Sequence, residues 1–514
     1  MVAGLESTTY ILLKCLAGLI FNPTALLLYY KKARIMANIK FGTDGWRAIV
    51  GEDFTAENVD IVTNAIGKYV FDNFGLTKKI LIGYDPRNMA KEFATQCADL
   101  LVSTGFNVIL SDKVVPTPVL AYGAKLYNAC AIMFTASHNP PKYLGMKFIP
   151  DYAGPATSKI TDAIVSNLGE KIPENKGKLE LFSFKEPYFK HLKELIDFEQ
   201  IKTLKTKIIY DGLYSASIGY FDSFLDEYSI PYESLHMAHD PNFGGGMPEP
   251  KPKYLKELIE LVKSFCPPPQ PSTLKGGGST LRHSISGAVG LSNDGDGDRF
   301  GIINENGEYV SPNEIISILL MYLKNNKKLQ GPLVKTVGAS FLLDKIAEKS
   351  GVEVIETAVG FKHVGEAMRK FNPIIGGEES GGLSIQGHIP EKDGIIADLL
   401  ILEAMAAKNK SLVELQKELY EVVGAKFYND RIDLKLENQQ QIKVALEKAQ
   451  DTQEVCGLKV INKNLMDGVK IYLEDNSSWI LVRPSGTEPL LRIYFESDSL
   501  ERIENLKSFV AKLN

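Results

Sequence analysis

The residues best suited to chemistry begin at Ser137, which follows the apolar run 129–134. A serine needs a neighbouring base or a prior modification to take part in covalent chemistry at neutral pH. No G-x-S-x-G elbow surrounds Ser137, and adjacent side chains on an extended segment point to opposite faces, which argues against a pair with His138. Ser137 is therefore a candidate to carry a transferable phosphate, whose charge of about −1.5 to −2 needs a cation and donors around it.

Three aspartates alternate with glycines far downstream. Asp294, Asp296 and Asp298 recur at intervals of two, so on an extended segment they face one side. Carboxylate oxygens in a compact loop suit a hard cation such as Mg²⁺. An EF-hand calcium loop is the alternative, because Glu305 stands at its twelfth position. Against it, Arg299 occupies the sixth position, where that loop needs glycine.

Two later stretches could bind a phosphorylated sugar. Glu378 and Ser380, in a glycine-rich loop, could bond vicinal hydroxyls. A second stretch combines guanidinium groups, hydroxyls and a glycine that lets the backbone approach an anion. Its candidate phosphate-binding residues are Arg483, Ser485, Gly486, Thr487 and Arg492. Alone, each stretch is typical of an ordinary loop or turn.

Taken together and in order, these stretches resemble the α-D-phosphohexomutase family, the phosphoglucomutases and phosphomannomutases. The matching motifs are residues 42–47 (Gly-Thr-Asp-Gly-Trp-Arg), 135–140 (Thr-Ala-Ser-His-Asn-Pro), 294–299 (Asp-Gly-Asp-Gly-Asp-Arg), 377–382 (Gly-Glu-Glu-Ser-Gly-Gly) and 483–487 (Arg-Pro-Ser-Gly-Thr). One motif alone is weak, but the ordered set is specific. The resemblance runs from about Met36 to the C-terminus.

The resemblance implies a reaction. Phosphorylated Ser137 would give its phosphoryl group to glucose 1-phosphate or glucose 6-phosphate, and the bisphosphorylated sugar would turn over before a phosphate returns. The Glu378-Glu379-Ser380 form resembles glucose-handling members more than the Glu-Met-Ser or Glu-Gln-Ser forms of phosphomannomutases and phosphoglucosamine mutases. Phosphomannomutase, phosphoglucosamine mutase and phosphopentomutase activities stay open. So does a different class, a non-catalytic sugar-phosphate or calcium-binding protein.

The resemblance also implies roles for single residues. Catalytic roles fall on Ser137, His138, Lys147, Arg47 and Arg299. One Mg²⁺ is held by Asp294, Asp296, Asp298 and a phosphate oxygen on Ser137. Substrate-binding roles fall on Glu378, Ser380, Lys362, His363, Arg483, Ser485, Gly486, Thr487 and Arg492. Glucose 1,6-bisphosphate is the implied activator and intermediate. His388 is interpreted as a surface histidine, and Gly382 stands where the family often has a histidine.

The elements that must position these residues follow a repeated pattern. Short aliphatic runs at 79–83, 207–210 and 332–337 are each followed by helical spacing, which predicts strand–helix units in parallel layers. From about residue 425 the order of elements indicates a small α+β domain. The predicted fold class is α/β, with three similar mixed α/β domains and a smaller C-terminal α+β domain around a central cleft.

The length of 514 residues exceeds what one core supports and predicts several domains. The predicted units are an N-terminal extension (1–35) outside the folded enzyme, a phosphoserine domain (36–190), a metal-binding domain (191–311), a sugar-recognition domain (312–424) and a phosphate-binding domain (425–514). The proline- and glycine-rich tract at 265–286 is a predicted insertion. It is either a tolerated surface segment or a disturbance of the aspartate loop.

Composition limits the partners. A net charge of −5 gives no electrostatic reason to expect nucleic acid, so hexose phosphates are the expected partners of a monomer or homodimer. Five scattered cysteines without a C-x-x-C pair favour a reduced, cytoplasmic setting. Residues 10–30 are largely apolar, but Lys14 and Asn22-Pro23 interrupt them. A membrane anchor there is the less favoured alternative, because Met36 could be the working start.

Overall fold

The structure is a computed structural model that describes residues 39–42, 45–265, 287–484 and 490–513. The predicted N-terminal extension and all but the first residue of the predicted insertion lie outside these residues. Within the described ranges, no helix combines the length and the apolar composition that a membrane span requires. The apolar stretch at 10–30 also lies outside the described part of the chain.

The first sheet has seven strands in the order β1-β2-β6-β5-β3-β4-β7. Its strands are β1 (Phe41–Gly42), β2 (Gly45–Ile49), β3 (Ile80–Tyr84), β4 (Asn107–Ser111), β5 (Cys130–Phe134), β6 (Tyr143–Ile149) and β7 (Lys178–Phe182). Its helices are α1 (Ala56–Phe74), α2 (Ala90–Ser103), α3 (Thr117–Tyr127), α4 (Ser158–Ser166) and α5 (Lys185–Leu195). Strand β5 is parallel to β3, but β6 returns antiparallel to β5. The sheet is therefore mixed.

The second and third sheets repeat this plan. The second contains β8 (Lys207–Asp211), β9 (Tyr232–Leu235), β10 (Ala288–Asn293), β11 (Phe300–Ile303) and β12 (Tyr309–Val310), with α6 (Phe198–Ile201), α7 (Phe221–Glu227), a 3-10 turn (Phe243–Gly245) and α8 (Lys256–Ser264). The third contains β13 (Leu333–Thr336), β14 (Val354–Thr357), β15 (Ile375–Glu378) and β16 (Gly382–Ile385), with α9 (Pro312–Asn325), α10 (Phe341–Ser350), α11 (Phe361–Phe371), α12 (Gly394–Lys408) and α13 (Leu412–Val423). Their strand orders are β12-β11-β10-β8-β9 and β14-β13-β15-β16.

Three of the motifs, residues 135–140, 294–299 and 377–382, occupy equivalent places in these sheets. In each sheet a strand that is parallel to its neighbour, β5, β10 or β15, ends at the motif and is followed by an antiparallel return strand, β6, β11 or β16. The parallel layers expected from the strand–helix pattern are present, and the return strands make each sheet mixed, as the predicted fold class states. A tight return places each motif at the carboxyl end of a buried strand, which is where open α/β sheets present their ligands.

The C-terminal sheet is antiparallel and has the order β17-β22-β21-β20-β19-β18. It contains β17 (Tyr428–Lys435), β18 (Glu454–Val455), β19 (Leu458–Asn464), β20 (Val469–Leu473), β21 (Trp479–Pro484) and β22 (Leu490–Ser497), with α14 (Gln439–Asp451), α15 (Leu500–Lys507) and α16 (Val510–Leu513). The predicted fold class, three mixed α/β domains and a smaller α+β domain, is confirmed. The last helical stretch of the chain divides into α15 and α16.

The first three sheets share one large hydrophobic core, to which each contributes buried side chains. Helix α12 belongs to this core, and every residue from Gly394 to Ala406 is buried, so this helix has no solvent face over that length. The C-terminal domain has a separate core of its own. The first three domains are therefore packed as one body, to which the fourth is attached.

Candidate active site

Ser137 lies in the loop after β5 and has a left-handed backbone with φ of +51°. The Ser137 amide donates to Thr135 Oγ1 at 2.8 Å. Because the backbone turns here, His138 Nδ1 comes within 3.3 Å of Ser137 Oγ. The segment is not extended here. The prediction that the Ser137 and His138 side chains point to opposite faces is therefore wrong. The hydroxyl also donates to Asp294 Oδ2 at 2.8 Å, which joins the serine motif (135–140) to the aspartate motif (294–299).

A buried arginine holds this loop in shape. The Arg87 guanidinium donates to four backbone carbonyl oxygens, those of Ser137 (2.6 Å), Asn139 (2.7 Å), Pro140 (2.9 Å) and Tyr143 (3.0 Å). Its Nε pairs with Asp85 Oδ2 at 3.2 Å, and neither side chain is exposed. Burial raises the pKa of Asp85 to about 6, against the opposing effect of Arg87. A buried charge persists when it is paired and fully bonded, as here.

This pair was not predicted from the sequence. Asp85 and Arg87 follow the aliphatic run 79–83, for which only a strand was predicted. The missing information was the parallel pairing of β3 with β5, which places charged residues after β3 beside the loop after β5. What the sequence could not show is that the arginine serves the loop backbone rather than a ligand.

The aspartates form a compact cluster at the aspartate motif (294–299). Asp294, Asp296 and Asp298 are buried, and one oxygen from each lies within 4.8 Å of the others. Asp294 Oδ1 accepts the backbone amides of Asp298 and Arg299, each at 3.0 Å, which fixes the loop. Burial, together with the charges of Asp298 and Asp296, raises the pKa of Asp294 well above its ordinary value.

The donor set fits a hard divalent cation. Asp296 Oδ1 and Asp298 Oδ1 are buried carboxylate oxygens without a hydrogen-bond partner among the described residues. Unpaired anionic oxygens in the interior are costly unless a cation is bound to them. Three carboxylates and the adjacent Ser137 Oγ are oxygen ligands of the kind that Mg²⁺ takes. These residues therefore match the chemistry of the ion that was predicted.

Two lysines from different domains contact this cluster. Lys147 on β6 donates to Asp296 Oδ2 at 2.8 Å and to Asp298 Oδ2 at 3.0 Å. Burial opposes ionisation of Asp296, but Lys147 outweighs it and holds the pKa of Asp296 at about 2. Lys392, which precedes α12, lies 3.3 Å from Asp298 Oδ2 and was not predicted. A Cβ at Gly382 would lie 2.3 Å from Lys392 Cδ, so the glycine leaves room for this lysine.

The remaining predicted catalytic residues surround the serine. Arg47 on β2 donates to Asn139 Oδ1 at 2.8 Å, inside the serine loop. Arg299 Nε lies 3.9 Å from Asp298 Oδ1. The Arg299 side chain is only 17% exposed, so this contact is not a surface ion pair. The charge of Arg299, followed by burial and Arg47, lowers the pKa of His138 to about 2. His138 is therefore neutral beside the serine.

The glycine-rich motif (377–382) carries the predicted sugar-binding pair. Ser380 Oγ donates to Glu378 Oε1 at 2.5 Å. Burial raises the pKa of Glu378, against the opposing charges of Lys392 and Arg299. The Phe300 amide donates to the Gly381 carbonyl oxygen at 3.1 Å, which ties this loop to the strand that follows the aspartates. The glycine-rich motif is thus bonded to the residue that directly follows the aspartate motif.

The predicted phosphate-binding residues are placed only in part. Arg483 at the end of β21 pairs in register with Arg492 on β22, so both guanidinium groups belong to neighbouring strands. Lys362 Nζ donates to Ser158 Oγ at 2.9 Å, across to the first domain. Burial, and then Lys362, lowers the pKa of His363. The other three, Ser485, Gly486 and Thr487, lie outside the described residues.

Two alternatives from the sequence are wrong. Glu305 does not face the aspartates: its carboxylate accepts the amides of Leu412 (2.8 Å) and Val413 (3.0 Å) and caps the start of α13, which excludes an EF-hand. His388 is not on the surface. It is buried, with Nε2 2.8 Å from Asp393 Oδ2 and Nδ1 3.0 Å from His191 Nε2. Its partner Asp393 caps α12 through Oδ1, so this network anchors the segment that carries Lys392.

Comparison with known proteins gives matches along most of the chain. Four domain families described as phosphoglucomutase/phosphomannomutase match in order: the alpha/beta/alpha domains I, II and III over residues 38–174, 186–307 and 311–423, and the C-terminal domain over 435–513. The chain is 30% identical over 481 residues to a Thermococcus kodakarensis protein named phosphoglucomutase/phosphomannomutase, covering 92% of this chain and 98% of that protein.

Two further similarities bear on the choice of substrate. The chain is 29% identical over 477 residues to a phosphoglucosamine mutase of Methanococcus maripaludis, covering 91% of this chain and 96% of that protein. It also superposes on a crystal structure described as a putative phosphomannomutase from Thermus thermophilus, with a TM-score of 0.79 and 30% identity, over 93% of this chain and 99% of that one. The names of these relatives therefore differ in the sugar.

Proposed function

The chain belongs to the phosphoglucomutase/phosphomannomutase family, and from that premise we propose that it interconverts glucose 1-phosphate and glucose 6-phosphate. The observation that carries the proposal is the bond from Ser137 Oγ to Asp294, inside a buried three-aspartate cluster. It places a hydroxyl beside a divalent-metal donor set. Such a pairing suits a phosphoserine that passes its phosphoryl group to a sugar.

In the proposed reaction, the sugar hydroxyl attacks the phosphorus on Ser137. A new P–O bond to the sugar forms as the bond to Ser137 Oγ breaks, and the hydroxyl proton passes to a base. Mg²⁺, held by Asp294, Asp296 and Asp298, would neutralise charge on the phosphoryl group when bound. Lys147 is proposed for general acid–base help: its contacts with the aspartates hold the Nζ ammonium beside the cluster, where it can give a proton to the departing Ser137 Oγ. Arg87 keeps the loop carbonyls fixed meanwhile.

The substrate end of the site must accept the sugar in two orientations. The same phosphate-binding residues must hold whichever phosphate is distant from Ser137, so their donors cannot be specific to one end. Arg483, with Lys362 and His363, is proposed for this role, and Glu378 with Ser380 for the ring hydroxyls. Water exclusion by the surrounding domains would protect the phosphoserine from hydrolysis.

Phosphoglucosamine mutase activity is the second candidate. The Methanococcus relative bears that name at almost the same identity as the Thermococcus protein named for glucose and mannose. The Glu378-Glu379-Ser380 sequence favours glucose. The amino group of glucosamine and the axial hydroxyl of mannose each change position 2 of the ring, so direct competition between the three sugars separates these activities.

The test is a phosphorus NMR time course on the purified full chain with Mg²⁺ and a trace of glucose 1,6-bisphosphate. Glucose 1-phosphate, mannose 1-phosphate and glucosamine 1-phosphate are compared at equal concentration. We expect conversion of glucose 1-phosphate to be fastest and to stop when a chelator is added. The Ser137→Ala variant should lose turnover and keep sugar-phosphate binding, while Ser166→Ala, on the exposed end of α4, should retain the parent rate.

The outcomes separate the parts of the proposal. Unchanged turnover in Ser137→Ala would eliminate the phosphoserine mechanism. Faster conversion of glucosamine 1-phosphate or mannose 1-phosphate would leave the mechanism intact and reject glucose as the preferred sugar. No turnover of any of the three by folded protein would contradict the proposed function as a whole.

A further inference from the structure

One carboxylate joins the C-terminal domain to the third domain at the predicted phosphate-binding region. Asp467 lies in the turn between β19 and β20. Its Oδ2 accepts Arg483 Nε at 2.8 Å and also the backbone amide of Val359 at 3.0 Å. Val359 precedes Gly360 and α11, the helix that begins with Phe361 and continues through Lys362 and His363. A single oxygen therefore bonds a residue of the fourth domain and a backbone group of the third.

The contact determines how the guanidinium can be presented. Arginine carries its N–H donors in a rigid planar fork, so fixing Nε fixes the plane of the whole group. With Nε occupied by Asp467, the two terminal nitrogens form the edge that is left for a bidentate bond to a phosphate. The side chains of Arg483 and Asp467 are 19% and 20% exposed, so the pair is accessible from solvent but partly shielded.

Other polar contacts attach the same two domains. Lys470 Nζ donates to the Val337 carbonyl oxygen at 2.7 Å, and Glu496 Oε1 accepts the Phe341 amide at 2.6 Å. Asn464 Nδ2 donates to Glu356 Oε1 at 2.6 Å. Asp467 differs from these three because it also bonds a residue that is proposed to hold the substrate. The Asp467 side chain therefore both attaches the C-terminal domain to the third domain and orients Arg483.

We propose that Asp467 is a positioning residue for the distal phosphate of the substrate. It orients Arg483 for bidentate binding and fixes that orientation to the segment that leads into Lys362 and His363, so that donors from two domains converge on one phosphate. The proposal rests on the proposed hexose-phosphate mutase function, and it adds a residue that none of the sequence motifs contains. Asp467 makes no contact with the phosphate itself.

Two effects of the Asp467 carboxylate oppose each other. Its bonds orient Arg483, but its negative charge repels a phosphate dianion and would weaken binding if it acted alone. Asparagine separates the two, because its side-chain oxygen can accept both N–H donors without the charge. If orientation dominates, Asp467→Asn will bind substrate at least as well as the parent, and Asp467→Ala will bind less well.

The experiment compares steady-state kinetics of the parent, Asp467→Ala and Asp467→Asn with glucose 1-phosphate. Loss of a bond that orients a charged group should raise KM about tenfold in the alanine variant. The contact serves ground state and transition state alike, so kcat should stay within about twofold. The asparagine variant should restore the parent KM.

Asp475→Ala is the matched control. Asp475 is also paired with an arginine, Arg502 Nη1 at 2.6 Å, and also accepts backbone amides, those of Ser477 and Ser478. These partners all belong to the C-terminal domain. Removing it deletes the same kinds of bond without touching Arg483 or the third domain, so KM should not change.

A readout without turnover distinguishes this proposal from the proposed function. Hydrogen–deuterium exchange of the Val359 amide should accelerate in Asp467→Ala and remain at the parent rate in Asp467→Asn and Asp475→Ala. If the parent turns over no hexose phosphate, the function fails, and the exchange result still decides whether Asp467 docks this segment. An unchanged KM or unchanged Val359 exchange in Asp467→Ala, or an asparagine variant as defective as alanine, would overturn the positioning role.

Discussion

The serine–aspartate site and the predicted phosphate-binding region are built differently. Around Ser137 and Asp294, bonds run between two buried loops, and Arg87 fixes one of those loops through four carbonyls. Around Arg483, the C-terminal domain has its own core and contacts the third domain partly through polar groups such as Asp467. Apolar contacts add to this attachment at Val337 and Trp479.

The difference indicates that the two regions serve different steps of the proposed reaction. Phosphoryl transfer depends on positioning and charge stabilisation, so preorganised groups serve it best. A domain that must admit a substrate and let the intermediate reorient benefits from bonds that can break and reform with water. We therefore expect changes in the first region to reduce kcat or stability strongly, and changes in the second to alter KM and docking more mildly.

The largest effect is expected from Asp294→Asn. Asparagine can still accept the amides of Asp298 and Arg299, but the cluster loses one of its three carboxylates. We expect kcat to fall on the order of 10³-fold, because charge neutralisation at the transferring group is weakened. Turnover measured over a range of Mg²⁺ concentrations checks this. Asp99→Asn, on the exposed face of α2, should behave as the parent. A kcat near that of the parent would show that the cluster does not serve the reaction.

A smaller effect, on stability, is expected from Arg87→Met. This change leaves Asp85 buried without its partner and removes the donors to the serine loop. Breaking a buried ion pair costs about 3–5 kcal/mol. Thermal unfolding should show the loss, and adding Asp85→Asn should recover part of it by removing the unpaired charge. If Arg87→Met unfolds at the parent temperature, the serine loop does not depend on this scaffold.

The smallest effect concerns the joint between the third and fourth domains. Glu496 is buried, and burial raises its pKa from the usual range to about 7. The folded chain therefore keeps a proton that the unfolded chain releases between about pH 4.5 and 7, so the free energy of unfolding falls as pH rises through that window. The full shift corresponds to at most about 3 kcal/mol.

Glu496→Gln should reduce this dependence. Glutamine can accept the same Trp479 and Phe341 N–H donors. The other ionisable groups at this joint, Lys335, Lys470, Asp344 and Glu356, are present in both proteins. Melting temperatures at pH 5 and pH 7 should differ less in the variant than in the parent. An equal difference in both proteins would assign the slope to other groups.

Several features of the fold could be predicted from local pattern. Apolar runs located β3, β5, β8 and β13 to within a residue or two, because a buried strand needs a continuous apolar segment. Strand β22 was missed, since residues 490–497 directly follow the predicted phosphate motif and were not considered as a strand. The antiparallel return strands were also missed, because strand direction depends on pairing partners rather than on composition.

Single residues of the candidate site could likewise be predicted only where a local pattern marks them. The three aspartates could be predicted because their spacing is itself the signal. Arg87 and His388 were misjudged or missed, because a buried polar residue is defined by its partners. The four carbonyl oxygens that Arg87 bonds lie 50 to 56 positions away, and His191 lies 197 positions from His388. No local pattern encodes such distances.

The sequence by itself determined the chemistry that is available: a loop serine, an aspartate cluster suited to Mg²⁺, an acidic loop for hydroxyls and arginines for phosphate, in an order typical of one family. Only the tertiary structure decided which of them meet. It brought Ser137 to Asp294 across 157 positions, added Lys392 to the cluster and turned His138 towards the serine. The physical reason is that donor types are local properties of side chains, whereas distances, burial and pKa values are set by strands that pair and pack far apart in the chain.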